Sequence, residues 1–125
     1  MIVLNYSHPL TEAQLAQIEI ALGSTFDVRS IPTHVDRSQP LARVAQELAD
    51  AAALNSEEWQ STPLVINPPG LAPVAMALLA EIHGRCGHFP AMLHIRPIAN
   101  TVPTQFEVAE IVDLQAVRDQ ARTQR

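Results

Sequence analysis

Apolar and polar positions follow two different periods along the chain, and together they predict the order of strands and helices. Residues 2–4 and 64–66 are short apolar runs rich in β-branched side chains, which is typical of strands. Elsewhere, apolar residues recur at intervals of three and four, most clearly between residues 71 and 82, and this spacing predicts amphipathic helices. The predicted order is strand, helix, strand, helix, strand, helix, strand, strand, helix.

Capping and helix-breaking residues set the predicted boundaries. Thr11 followed by Gln14 has the form of a capping box, and Gly23 is placed to end the helix that begins there. Gly84 and Gly87 are predicted to end the helix that starts near residue 71. The other predicted elements are an outer strand at 26–31, a helix at 41–52, a capped turn at 55–59, strands at 92–96 and 106–112, and a terminal helix at 114–122.

Alternation of strands and helices predicts right-handed parallel crossovers, and so a three-layer α/β sandwich. We expect one domain, residues 1–125, built on a mostly parallel sheet of about five strands; 47% of the residues are hydrophobic. In open sheets of this kind, ligands bind beyond the carboxyl ends of the strands, where the direction of the connections reverses. The loops expected to meet there are residues 5–11 and 67–72.

Charge and cysteine content narrow the choice of partners. Thirteen acidic residues against eight basic ones, all arginine, give a net charge of -5, which argues against duplex nucleic acid. Phosphate would have to be bound locally, by backbone N–H groups, helix N-termini and a few arginines. Cys86 alone cannot form an internal disulfide, and no apolar run is long enough to span a membrane. We expect a cytoplasmic protein without a membrane partner.

Polar residues in the two loops are the candidates for ligand binding. Ser7 and Thr11 offer hydroxyl donors, and His8 can donate or exchange a proton. Asn67 can hydrogen-bond a base or a ribose, and Gly70 lets a ligand approach the backbone closely. The alternative is that Thr11 only caps a helix and that Asn67 and Gly70 only form a turn. Two such loops after the most buried strands favour the binding interpretation.

Three residues near these loops have a functional and a structural interpretation. Arg96 ends the predicted fourth strand, which makes it the best phosphate partner in the chain; a surface ion pair is the alternative. Pro69 is counted with the ligand-binding residues of the second loop, although it can simply stiffen that loop. Tyr6 can stack on a base, but a tyrosine at the end of a buried strand is more often part of the core.

Metal and cofactor sites are not indicated. No glycine-rich phosphate loop, dinucleotide fingerprint or nucleophile elbow is present. One thiol and three imidazoles lie close together in the sequence, but no spacing among them matches a zinc module, so structural or surface roles are favoured. These four residues are His83, Cys86, His88 and His94.

Four segments of the sequence resemble a known protein family. They are Asn-Tyr-Ser-His-Pro-Leu-Thr at 5–11, Asn-Pro-Pro-Gly-Leu-Ala-Pro at 67–73, Leu-Ala-Glu-Ile-His-Gly-Arg-Cys-Gly-His-Phe-Pro at 79–90 and Ile-Val-Asp-Leu-Gln-Ala-Val-Arg at 111–118. The chain resembles, nearly from end to end, the small Csx-fifteen family of CRISPR-associated proteins. That family accompanies type III CRISPR systems and is related to the CRISPR-associated Rossmann-fold (CARF) domains and ring nucleases.

The resemblance implies a Rossmann-like, CARF-like fold and a cyclic oligoadenylate ligand, with cyclic tetra-adenylate expected. Because that ring carries four phosphates with rotational symmetry, we expect a homodimer that doubles the site, and higher assembly with ligand stays open. His8 is the only well-placed acid or base, so sequestration with slow or absent cleavage is favoured over metal-independent ring cleavage at His8. A module that binds a protein instead of a nucleotide is a third alternative. No cofactor or metal is expected.

Overall fold

The predicted apolar runs form the strands of one sheet. The computed structural model describes residues 1–125. Its elements in chain order are β1 (Ile2–Asn5), α1 (Glu12–Leu22), β2 (Asp27–Ser30), α2 (Leu41–Ala51), α3 (Ser56–Ser61), β3 (Leu64–Asn67), α4 (Ala72–Cys86), β4 (Ala91–Pro97), β5 (Phe106–Asp113) and α5 (Leu114–Arg122).

The strand order is β2-β1-β3-β4-β5, with β1, β2, β3 and β4 parallel and β5 antiparallel to β4. The predicted outer position of β2 and the central position of β3 are therefore confirmed. All four residues of β3 are buried, which explains why that strand is apolar on both faces. No helix of the protein is both long enough and apolar enough to cross a membrane.

Helices cover both faces of the sheet, and the fold is a Rossmann-like three-layer sandwich. On one face, Ile18 of α1 packs with Val3, Val65 and Leu93. On the other face, helices α2, α3 and α4 pack over Leu4 and its neighbours. The predicted alternation of strand and helix thus leads to the predicted layers. The residues that α2, α3 and α4 bury on that face include Val44, Leu48, Trp59, Val74, Leu78 and Ile82.

Local signals at the helix ends are confirmed with one exception. Thr11 and Gln14 form the capping box of α1, and Gly23 ends it in the left-handed conformation. The prediction that Gly84 ends α4 is wrong, because the helix continues to Cys86 and ends at Gly87, whose φ is +84°. A glycine inside a helix costs only about 1 kcal/mol, and burial of the Cys86 side chain in the last turn offsets that cost.

Tyr6 belongs to the core. Its side chain is almost completely buried, and its hydroxyl donates a hydrogen bond to the carbonyl oxygen of Leu48 in α2 at 3.1 Å. Burial raises the pKa of Tyr6 far above its ordinary value, and the nearby Arg85 charge offsets only part of that effect. Tyr6 therefore anchors α2 to the end of β1 and does not stack on a ligand.

The outer edge of β5 is covered by α1. The backbone N–H of Val108 donates to Oε1 of Gln17 at 2.8 Å, and Nε2 of Gln14 donates to the carbonyl oxygen of Phe106 at 3.2 Å. Gln14 also accepts the backbone N–H of Thr11 at the start of α1. These contacts hold the first turn of α1 beside the beginning of β5.

Candidate ligand-binding crevice

The two predicted loops lie side by side at the carboxyl edge of the sheet. Their strands, β1 and β3, are neighbours, and Asn5 is paired in register with Asn67. The chain then leaves β1 toward α1 on one face and leaves β3 toward α4 on the other face. The gap between the loops is thus the point where the connections reverse direction, as ligand-binding sheets of this type require.

Two buried asparagine side chains join the loops. Nδ2 of Asn67 donates to Oδ1 of Asn5 at 2.8 Å, and that same oxygen accepts the backbone N–H of Ser7 at 3.1 Å. Nδ2 of Asn5 donates to the carbonyl oxygen of His8 at 3.0 Å. Both polar atoms of the Asn5 side chain are therefore hydrogen-bonded, and two of the three bonds shape the first loop. Asn67 uses only its amide nitrogen, and its side-chain oxygen is left without a hydrogen-bond partner inside the protein.

A cavity of about 680 Å³ opens between the loops and the β4–β5 hairpin, and its volume is in the range typical of small-molecule sites. It brings together six of the seven residues predicted to bind ligand. The polar members of the lining are supplied mainly by the two loops, and the apolar members mainly by the hairpin. The six predicted residues in the lining are Ser7, His8, Thr11, Asn67, Pro69 and Gly70.

Arg96 is the predicted residue that the fold does not bring to the cavity. It lies near the outer end of β4 and does not line the cavity. Its Nε forms an ion pair with Oε1 of Glu107 across the hairpin at 3.2 Å, and both side chains are accessible to solvent. β4 pairs with β3 only at Ala91 and Met92 and then continues to Pro97. This extension carries Arg96 beyond the crevice. The surface ion pair is thus what the structure shows.

Residues of the hairpin complete the lining and were missed from the sequence. Leu93 and Ile95 of β4, together with the half-exposed Phe106 of β5, form an apolar wall. His94, considered only in the metal hypothesis, lines the same cavity as His8. The unequal lengths of β3 and β4 place these residues in the crevice. The only sequence signal for that difference is the proline pair that follows Asn67.

A second cavity, of about 410 Å³, lies on the other side of the loops. Ser7, His8, Pro69 and Gly70 line both cavities and so form a ridge between them. Arg37 lines the second cavity and forms no ion pair with any acidic side chain. It is the arginine best placed to reach an anion at the ridge.

The electrostatic character of the crevice differs from that of the whole protein. No aspartate or glutamate lines either cavity, although the chain carries thirteen acidic residues. The start of α4 adds unpaired backbone N–H groups, because its first turn has no side-chain cap. A crevice with hydroxyl, amide and imidazole groups and without carboxylates can accept an anion inside a protein that is acidic overall.

Other reactive groups lie outside the crevice. Cys86 is buried at the end of α4, and burial raises the pKa of its thiol. His83 packs against Phe89, with ring centroids 4.3 Å apart. No group of three or more histidine, cysteine, aspartate or glutamate side chains is placed to hold a metal ion.

Comparison with known proteins leaves the family open. No family model matches this chain, and no curated protein or solved structure has significant similarity to it.

Proposed function

We propose that this protein binds cyclic tetra-adenylate in the crevice between the β1 and β3 loops and damps the signal by sequestering the messenger. The observation that carries the proposal is a cavity of about 680 Å³, free of carboxylates, at the switch point of the sheet. One side offers amide, hydroxyl and imidazole groups for phosphate and ribose. The other side offers the apolar surface of Ile95 and Phe106, on which a base can pack.

The proposal that the ligand is a ring rests on the resemblance of the loop sequences to the Csx-fifteen family.

The free energy of binding favours a site shared by two protomers. A nanomolar complex needs about -12 kcal/mol. One helix N-terminus contributes about 0.3–1 kcal/mol, and one charge-assisted hydrogen bond about 1.5–3 kcal/mol. Two protomers related by a twofold axis would double these contributions, so the proposed receptor is a homodimer. Light scattering on the protein with bound ligand tests this part, and a monomeric complex contradicts it.

A second candidate function is metal-independent cleavage of the same ring. His8 lines the cavity, and its imidazole can take the proton of a ribose 2′-hydroxyl that attacks the adjacent phosphate and return a proton to the leaving 5′-oxygen. Recovery of intact ligand after an hour with excess protein supports sequestration. Linear products that disappear in His8→Ala support cleavage instead.

Gly70 allows a matched test of the binding site. A Cβ atom added there meets nothing within 4 Å, so both aspartate and asparagine can be accommodated by the fold. Gly70→Asp places a negative charge in a cavity that has none, whereas Gly70→Asn has nearly the same shape without the charge. We expect Gly70→Asp to weaken cyclic tetra-adenylate binding at least about 10-fold relative to Gly70→Asn in calorimetric titration.

Two outcomes of that titration contradict the proposal. Equal binding by the two variants places the ligand away from the crevice. No binding by the unchanged protein removes the nucleotide function and favours a module that binds another protein. A thermal-shift series with linear tetra-adenylate, cyclic hexa-adenylate and AMP then identifies any related ligand, because a ligand that binds the native state raises the melting temperature.

A further inference from the structure

The edge of β4 that faces the crevice has no neighbouring strand. Pairing between β3 and β4 ends at Ile66 and Met92, while β4 continues to Pro97. The cavity touches four consecutive residues of this strand, 92–95. Because consecutive side chains of a strand point to opposite faces, a cavity that contacts four in a row lies along the strand's edge and reaches its backbone.

The hairpin register identifies which backbone groups are free. Ile95 is opposite Val108, whose N–H points away from β4 and donates to Gln17. The hairpin register shifts between His94 and Ile95 but is regular from Ile95 to Pro97, and opposed residues in a regular antiparallel pair either both face each other or both face away. Ile95 therefore turns its N–H and C=O away from β5 and toward the crevice. Neither group forms a backbone hydrogen bond with the loop that follows β3.

Leu93 has the same orientation two residues earlier, because the additional residue at the register shift is Ala109 of β5 and the alternation along β4 continues. Continuing the β3 ladder by one step would require the N–H of residue 68 to donate to the carbonyl oxygen of Leu93. That residue is Pro68, which has no N–H. The crevice therefore contains, in order along β4, an acceptor at Leu93, a donor at Ile95 and a second acceptor at Ile95.

We propose that this free edge recognises the adenine base; the inference rests on the proposed function and adds base specificity to it. The carbonyl oxygen of Leu93 accepts a hydrogen bond from the 6-amino group of adenine, and the N–H of Ile95 donates to N1 of the same ring. Phe106 supplies apolar surface beside this edge for the face of the base. The three free groups suit one planar heterocycle, whereas β4 ends at Pro97, which is too short a free run for an added peptide strand.

The test compares cyclic tetra-adenylate with cyclic tetra-inosinate by calorimetric titration. Cyclic tetra-inosinate keeps every phosphate and ribose, but an oxygen replaces the 6-amino group of each base and N1 carries a proton. The donor and the acceptor on the base are therefore exchanged, so neither hydrogen bond to β4 can form. We expect about 5- to 100-fold weaker binding of the inosine ring. Equal affinity for the two rings overturns base recognition and leaves the proposed function standing. Failure of both rings to bind overturns both.

The backbone donor is tested separately. Ile95→Pro removes the backbone N–H of residue 95, which makes no hydrogen bond within the sheet, whereas Ile95→Val keeps that N–H. Only the proline variant is therefore expected to lose affinity for cyclic tetra-adenylate. In ¹⁵N-labelled unmodified protein, the Ile95 amide proton is expected to shift downfield and exchange more slowly on binding. This second measurement does not depend on the proline variant folding. An unchanged Ile95 amide in a complex that forms overturns the proposal.

Discussion

At the scale of single residues, the shape of the crevice depends on the side chain of Asn5. It receives hydrogen bonds from Asn67 and from the backbone of Ser7, and it donates one to His8. Asparagine suits this position because it offers an acceptor and a donor on one short side chain. One buried residue thus fixes the first loop and joins it to the second.

We expect Asn5→Ala to lower the free energy of unfolding by about 1–3 kcal/mol, because it leaves the buried amide of Asn67 without its partner. Urea denaturation measures the change. Ser7→Ala is the matched control, since the Ser7 hydroxyl is exposed and makes no hydrogen bond, and its effect should stay within about 0.5 kcal/mol. A stability loss below about 0.5 kcal/mol for Asn5→Ala would show that the hydrogen bonds of Asn5 do not hold the first loop.

Tyr6, the only tyrosine, gives a prediction about pH. Tyr6→Phe loses the hydrogen bond to Leu48 and should lower stability by about 0.5–1.5 kcal/mol at pH 7. Burial raises the pKa of Tyr6 in the folded state above the value of about 10 in an unfolded chain. As pH rises past 10, only the unfolded chain releases this proton, so the unmodified protein loses stability that the phenylalanine variant keeps. Urea titrations at pH 7 and pH 11 should therefore show a smaller difference between the two proteins at pH 11. A constant or larger difference contradicts the prediction.

At the scale of elements, β5 shows how part of a sheet edge is covered. Gln14 and Gln17 are one turn apart on α1, and their side chains hydrogen-bond two outward-facing backbone groups of β5. An unpaired edge strand invites association with other strands, and this cover removes that hazard from the first half of β5. The same contacts place the start of α1 beside the cavity.

Gln17→Ala should expose the backbone N–H of Val108. We expect faster hydrogen exchange at the Val108 amide and a loss of about 0.5–1.5 kcal/mol of stability. Gln120→Ala on α5 is the control, because that side chain makes no hydrogen bond. Unchanged exchange at Val108 would mean that Gln17 does not protect this edge.

Much of this element-scale structure follows from local signals in the sequence. The capping box at Thr11 and the apolar run of β3 are local features, so the start of α1, the central position of β3 and the meeting of the two loops could be predicted, whereas the full strand order could not. The position of Arg96 could not be predicted, because it depends on how far β4 extends beyond the end of β3. That difference in strand length is not a local feature of the sequence. The contact between Gln14 and Phe106 is also long-range, since it requires α1 to pack beside the β4–β5 hairpin.

At the scale of the whole molecule, charge is distributed unevenly. The protein carries a net charge of -5, yet the residues that line the two cavities at the ridge include no carboxylate. A general negative charge discourages non-specific binding of polyanions, while a local site without acids can still hold one. Selective binding of a small cyclic nucleotide is compatible with this distribution, whereas coating of nucleic acid is not.

The most direct test of the central claim is hydrogen exchange across the whole backbone with and without cyclic tetra-adenylate. We expect slower exchange at the amides of residues 7, 8, 10, 11, 70–72 and 93–95, with little change in α5, which lies outside both cavities. Protection confined to other surfaces, or no protection at saturating ligand, would contradict it.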